Sequence, residues 1–212
     1  EQWLQARFPP TGGTARIGVD MPLTTTVLGA YPKPDYVPIR DWFTMPGGQV
    51  SASATQDYNE ALLAPGPATE ALFARAAAEV IADQVACGID IVTDGEVRRE
   101  NYIHYHCRHL KGIDFNTLTH KVLRDGAYET DLPTVRGDIK PHPGHFLPHD
   151  YQVAQAGTDR PIKVTLPGPM TITDTTADAH YGDPARQGAD LARALNYEIK
   201  ALIAAGCRHI QV

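Results

Sequence analysis

The chain has 212 residues, 42% of them hydrophobic, and a formal net charge of −6 from 19 basic and 25 acidic side chains. That length suits one domain able to bury its own core, and neither sign of charge forms the block that marks a nucleic-acid footprint. No apolar run approaches the roughly 18 residues a membrane span needs, and the 18 glycines and 17 prolines predict many turns rather than low complexity.

Cys87, Cys107 and Cys207 are an odd number at wide spacing, which excludes a disulfide framework and predicts a reducing, cytoplasmic compartment. Cys87 and Cys207 flank helix-end glycines and read as small buried residues there, not as nucleophiles or metal ligands. Residues 1–20 lack a basic stretch followed by an apolar one, so they read as an N-terminal extension and not a secretory signal. The domain is expected over 21–212.

In chain order, Thr24 to Leu28 is β-branched and stopped by Gly29, a buried strand. Residues 35–67 carry Pro38, Pro46-Gly47-Gly48 and Pro65-Gly66-Pro67, a long loop with short helical pieces. Thr69 reads as the N-cap of a helix to Cys87, with Phe73, Ala77, Ile81 and Val85 on its apolar stripe and Gly88 as the stop. Ile89 to Thr93 is a second strand ending in Asp94-Gly95-Glu96. Val97 to Leu110 reads as helix, 111–144 as an irregular excursion compatible with a hairpin, and His145 to Ala156 as helix. Pro161 to Leu166 is a third strand, stopped by Pro167-Gly168-Pro169 and followed by a short helical segment. Asp183-Pro184 starts a helix to Ala205 with Leu191, Leu195, Ile199, Leu202 and Ile203 on its apolar stripe. His209 to Val212 is a fourth strand.

Strands alternating with helices predict an α/β fold with parallel strands and right-handed crossovers, as an open doubly wound sheet or a barrel. No Gly-rich nucleotide fingerprint follows a strand. Four strands are half of an eight-stranded barrel, so the chain reads as a half completed elsewhere, in the same protein or in another chain. Open barrel edges would promote self-association.

In both architectures ligands meet the carboxyl ends of the strands. The candidate site residues are therefore Leu28, Gly29 and Ala30 at the first tip, and Asp94 and Glu96 at the second. A carboxylate there can hold a substrate ammonium; the plainer alternative is helix capping and pairing with Arg98 or Arg99. His104, His106, Cys107 and His109 do not share a helix face. His142, His145 and His149 are interrupted by Pro143 and Pro148. Neither group has a tight metal-ligand spacing, so these histidines read as solvated or locally bonded.

The segments T-T-T-V-L-G-A-Y-P-K-P (24–34), G-I-D-I-V-T-D-G-E-V-R-R-E (88–100), L-K-G-I-D-F (110–115), I-K-V-T-L-P-G-P-M-T (162–171) and A-A-G-C-R-H-I-Q-V (204–212) together resemble the cobalamin-independent methionine synthase family. The resemblance is to the first half of its catalytic (β/α)₈ TIM barrel, and is greatest to single-domain members, a group that includes epoxyalkane:coenzyme M transferases. It implies zinc-dependent transfer of a methyl or alkyl group to a thiol, with homocysteine the expected acceptor and a methylfolate the donor. Leu28, Gly29 and Ala30 fall where the family contacts the amino acid, and Glu96 where a carboxylate grips its α-amino group. Three features depart from the family. Ala30 stands where methionine enzymes usually have Ser. Asp174, Thr175 and Thr176 lie where a pterin-stacking Trp is expected. Gly137 to Lys140 replaces an Arg-Cys pair. The family's zinc ligands follow the fourth strand, so no ligand set is expected within these 212 residues. The departures leave open a coenzyme M-type or other small thiol with a non-folate donor. A non-catalytic half-barrel that needs a partner is the third possibility.

Overall fold

The computed structural model describes residues 23–41, 43, 55, 58, 62, 64–123, 126 and 128–212; the expected extension over 1–20 and much of the 35–67 loop lie outside them. In chain order the elements are α1 (Pro67–Ala86), α2 (Tyr102–Arg108), β1 (Leu110–Leu123), β2 (Tyr128–Pro141), α3 (Leu147–Gln155), β3 (Lys163–Thr165), α4 (Pro169–Asp174), β4 (Ala177–Asp178), α5 (Pro184–Ala204) and β5 (His209–Gln211).

Four parallel segments lie side by side in sequence order. Thr26 bridges Ile91, Val92 bridges Ile162, and β3 pairs with β5 from Lys163↔His209 to Thr165↔Gln211. Each predicted strand is present as a shorter stretch; the first, Thr24 to Leu28, was expected to be buried but is largely exposed, because the described strands pair with it only through the Thr26–Ile91 bridge on one side. The described strands form no closed barrel. The excursion is a long antiparallel hairpin of β1 and β2, with β4 added in parallel to the β2 edge.

The helices depart from the sequence reading in instructive ways. α1 is capped by Gly66 and begins at Pro67, not at Thr69, since a proline's missing N–H and fixed φ suit the first helical position. Phe73, Ala76, Ala77, Val80 and Ile81 are buried, but Val85 is exposed and Gln84 takes the inward place. The Gln84 amide donates to the carbonyls of Val80 and Thr93 and accepts from Thr93 N–H, tying α1 to the second strand tip. Cys87 is exposed, not buried, because the helix has ended at Ala86 before it; Cys207 is buried as expected. Helix was expected from Val97, but Asn101 starts α2 by accepting from the N–H groups of Ile103 and His104, leaving 94–100 as a turn-rich connection. α5 is capped by Asp183, which accepts from Ala185 and Arg186 N–H. It buries Leu191, Ala194, Leu195 and Leu202, while Ile203 of the predicted stripe faces solvent.

The larger core packs α3, α5, β3 and the base of the hairpin around Val92, Leu147, Ile162, Ile172 and Leu191. A second core joins α1 to Val37, Ile39, Val97 and Tyr105. Among the described residues no helix is long and apolar enough to cross a membrane.

Candidate functional site

The carboxyl ends of the four parallel segments converge on a cleft of about 620 Å³. The first segment contributes Leu28, Gly29 and Ala30, the second Glu96, the third Thr165 to Gly168, and the fourth Gln211 and Val212. Tyr102 of α2, Thr171 of α4 and Phe43 complete its wall. Glu96 is the one charged side chain lining the cleft among the described residues.

The turn that carries Glu96 is built from consecutive left-handed residues, Gly95 at φ 69° and Glu96 at φ 55°. Glycine adopts this conformation freely, whereas Glu96 is held there against a local preference, a condition that recurs at functional sites. The backbone is stitched in place. Tyr31 N–H donates to Gly95 O at 2.9 Å, and Thr93 Oγ1 donates to Gly29 O at 3.0 Å. Asp94 does not line the cleft; its Oδ1 accepts from Glu96 N–H at 3.0 Å and closes the turn.

Glu96 is buried, and its Oε1 accepts from Thr165 Oγ1 at 2.6 Å. Arg99, buried behind it, donates from Nη1 to both the carbonyl (3.0 Å) and the hydroxyl (2.9 Å) of Thr165, and stands 3.6 Å from Glu96 Oε1. Burial opposes the Arg99 charge, yet the fields of Glu96, Asp94 and Asp150 raise its pKa above the ordinary guanidinium value. Glycine at 29 leaves this carboxylate its place, because a Cβ there would collide with Glu96 Oε1 and the carboxylate would have to move. One layer below, Lys163 donates to Val27 O and to Gln211 Oε1, joining the first, third and fourth segments under the cleft.

The site residues expected from sequence thus divide. Leu28, Gly29, Ala30 and Glu96 come together on the cleft, and Asp94 supports the turn. The sequence reading missed the partnership of Arg99 with Thr165. The three-residue step from Glu96 to Arg99 is a visible signal, but the contact to Thr165 spans 66 positions and no local pattern reveals it.

The histidines are committed elsewhere. His104 lies between Thr55 Oγ1 (2.7 Å) and Thr175 O (3.2 Å), and burial lowers its pKa to about 4. His106 Nδ1 meets Tyr102 O at 2.7 Å, and burial drives its pKa well down. Both are buried, where the sequence left solvation open. His145 pairs with Glu198 and His149 with Glu70, each at 3.0 Å. A second, smaller cavity of about 340 Å³ lies beside Arg98, Glu70 and Asp150. Arg98 is bidentate to Glu70 and 3.4 Å from Asp150, which also accepts from Tyr105 Oη at 2.9 Å.

Parallel strands in chain order, with a carboxylate-bearing cleft at their carboxyl ends, define an α/β domain of the type that binds small molecules at its strand tips. The sequence model of the family described as "Cobalamin-independent synthase, Catalytic domain" matches residues 23–212, and the chain belongs to that family. Methionine synthase of Sulfolobus acidocaldarius is 31% identical over 191 residues, covering 90% of this chain and 51% of its own. Methionine synthase of Saccharolobus islandicus (strain L.S.2.15 / Lassen #1) is 30% identical over 192 residues, covering 90% and 52%. Among solved structures, a B12-independent methionine synthase from Shewanella sp. W3-18-1 in complex with selenomethionine superposes with a TM-score of 0.72. It has 32% sequence identity and covers 89% of this chain and 50% of its own. A putative vitamin-B12 independent methionine synthase from Listeria monocytogenes shares the fold, with a TM-score of 0.54, 21% identity and coverage of 68% and 41%. The chain spans about half the length of the curated relatives it matches.

Proposed function

We propose that the cleft binds the amino-acid partner of a methyl transfer, homocysteine as acceptor and methionine as product, with Glu96 receiving the α-ammonium. In this reading the four β/α units are one half of a (β/α)₈ barrel, and Leu28, Gly29 and Ala30 flank the amino acid. The observation that carries it is the charge of the cleft wall. Glu96 presents a buried carboxylate with no other charged side chain beside it on the wall among the described residues. Such a wall favours a ligand bearing a cation on an otherwise apolar body. A coenzyme M-type thiol would instead bring a sulfonate against Glu96, with no lining cation among the described residues to receive it. The selenomethionine complex of the Shewanella relative supports an amino acid as ligand.

The family's zinc does not fit the residues described. No group of three or more His, Cys, Asp or Glu converges there, and the buried Cys107 and Cys207 thiols have their pKa pushed up by desolvation. These residues bind and orient the acceptor, and thiol activation is not assigned to them.

One observation favours a non-folate donor for the same acceptor. At the end of α4, where a stacking ring would be expected, the hydroxyls of Thr175 and Thr176 bond back to helix carbonyls of Thr171 and Ile172.

The acceptor reading is tested by calorimetric titration of the intact protein with L-homocysteine, 4-mercaptobutanoate and 2-mercaptoethanesulfonate. Glu96→Gln is expected to weaken L-homocysteine binding by roughly 10–100-fold, as for a charge-assisted hydrogen bond, and to leave 4-mercaptobutanoate unchanged. Wild-type binding of the sulfonate as tight as that of L-homocysteine would overturn it.

A further inference from the structure

We infer that Thr165 and Arg99 are a positioning pair that fixes which oxygen of Glu96 the ligand meets. The inference rests on the reading that Glu96 receives the ammonium.

It follows from counting protons. A guanidinium only donates. Arg99 Nη1 carries two hydrogens, and its two contacts, to Thr165 O and Thr165 Oγ1, use both. The Thr165 hydroxyl oxygen therefore accepts from Arg99, so its single proton must point elsewhere. Glu96 Oε1 lies 2.6 Å away and can only accept while ionised. The chain of hydrogen bonds thus runs in one direction, from Arg99 through Thr165 to Glu96. Oε1 is engaged, and Oε2, which has no hydrogen-bond partner among the described residues, is left for the cleft.

The Thr165 methyl points at Gly29, since a Cβ built there would lie 3.2 Å from Cγ2, while its hydroxyl points at Glu96, so the two branches face the first two strand tips. A β-branched side chain is stiff about χ1, which keeps the hydroxyl aimed where serine would be free to turn. The terminal torsion of a glutamate is broad, so without this anchor the carboxylate would sample orientations that misalign Oε2. Arg99 itself touches no cleft surface; it acts through Thr165.

Thr165→Val is the informative variant, because it keeps shape and β-branching and removes only the hydroxyl. Arg99 is fully buried, so its own replacement risks the fold. Titration of the intact protein with L-homocysteine should show affinity reduced about tenfold by Thr165→Val and within about threefold of wild type for Thr165→Ser. Binding of 4-mercaptobutanoate, which lacks the amino group, should not change. In a Glu96→Gln background, Thr165→Val should add less than about a twofold loss, since a residue acting through Glu96 has nothing further to lose. A Thr165→Val protein that binds like wild type, while Glu96→Gln does not, would overturn the positioning role and leave the acceptor reading intact. The same follows if the Thr165→Val loss persists in full without the Glu96 carboxylate. If neither variant nor the missing amino group affects affinity, both inferences fall.

Discussion

Gly29 and Glu96 compete for the same space: a Cβ on Gly29 would overlap Oε1 of Glu96 and lie 3.2 Å from its carboxyl carbon. The first strand tip is therefore bare so that the second can fold its carboxylate across it. The atom displaced by a side chain would be the far end of a flexible residue, so the penalty falls on function before stability.

Gly29→Ala is accordingly expected to push Glu96 off Thr165 and to weaken L-homocysteine binding at least about tenfold, with a change in folding free energy of no more than about 1–2 kcal/mol. Calorimetric titration alongside urea denaturation separates the two effects. Unchanged affinity would show that the Glu96 position is immaterial to binding.

Ala30→Ser tests the neighbouring position in the opposite sense. Ala30 lines the cleft without a polar atom on its side chain. A hydroxyl that reaches the amino acid would add one hydrogen bond, worth about 2- to 10-fold in affinity. Tighter binding of L-methionine by the variant is the expected outcome; a loss would mean that the side chain at 30 faces the ligand's apolar part.

The three cysteines should differ sharply in reactivity. Cys87 is exposed, while Cys107 and Cys207 are buried with thiol pKa values raised by desolvation. A chromogenic disulfide reagent should label one thiol per native chain and three after denaturation. Fast labelling of two or more native thiols would contradict the packing around Cys107 and Cys207.

Asp150 should make stability fall as pH rises through the acid range. Burial lifts its carboxyl to about 6, despite the opposing pull of Arg98, from an ordinary value of 3.8. Between these values the native state keeps a proton that the unfolded chain has released, so unfolding becomes easier with rising pH. The contribution is fully favourable below about pH 4 and lost above about pH 6, and the shift corresponds to roughly 3 kcal/mol. Relative to Asp150→Asn, the wild type should lose about 2 kcal/mol of that stability between pH 4 and 6.5 in urea titrations. A pH-independent difference would refute the assignment.

Much of the fold was legible because glycine and proline punctuate it. Gly29, Gly95 and the Pro167-Gly168-Pro169 run mark the strand tips where the cleft opens, and Asp183-Pro184 marks the start of α5. The boundary of α1 was misplaced because Thr69 is a good cap by type, while Pro67 fits the first helical position better. Glu96 stood out because glycine precedes it and arginines follow. The Arg99–Thr165–Glu96 chain could not be read, since its specificity lies in which hydrogens are already in use. Such proton assignments become visible only when segments distant in sequence are brought into contact. The buried state of His104 was equally hidden, because its partners Thr55 and Thr175 lie 49 and 71 positions away from it in the chain.

Leu28 and Val212 line one cleft although almost the whole described chain runs between them. Closing so long a loop is an entropic cost that only the later-formed contacts repay. The cleft therefore exists only where the first and fourth segments have been brought together. A molecule that binds at Glu96 would stabilise variants in which these segments assemble poorly, because it rewards only the state in which all four strand tips have met.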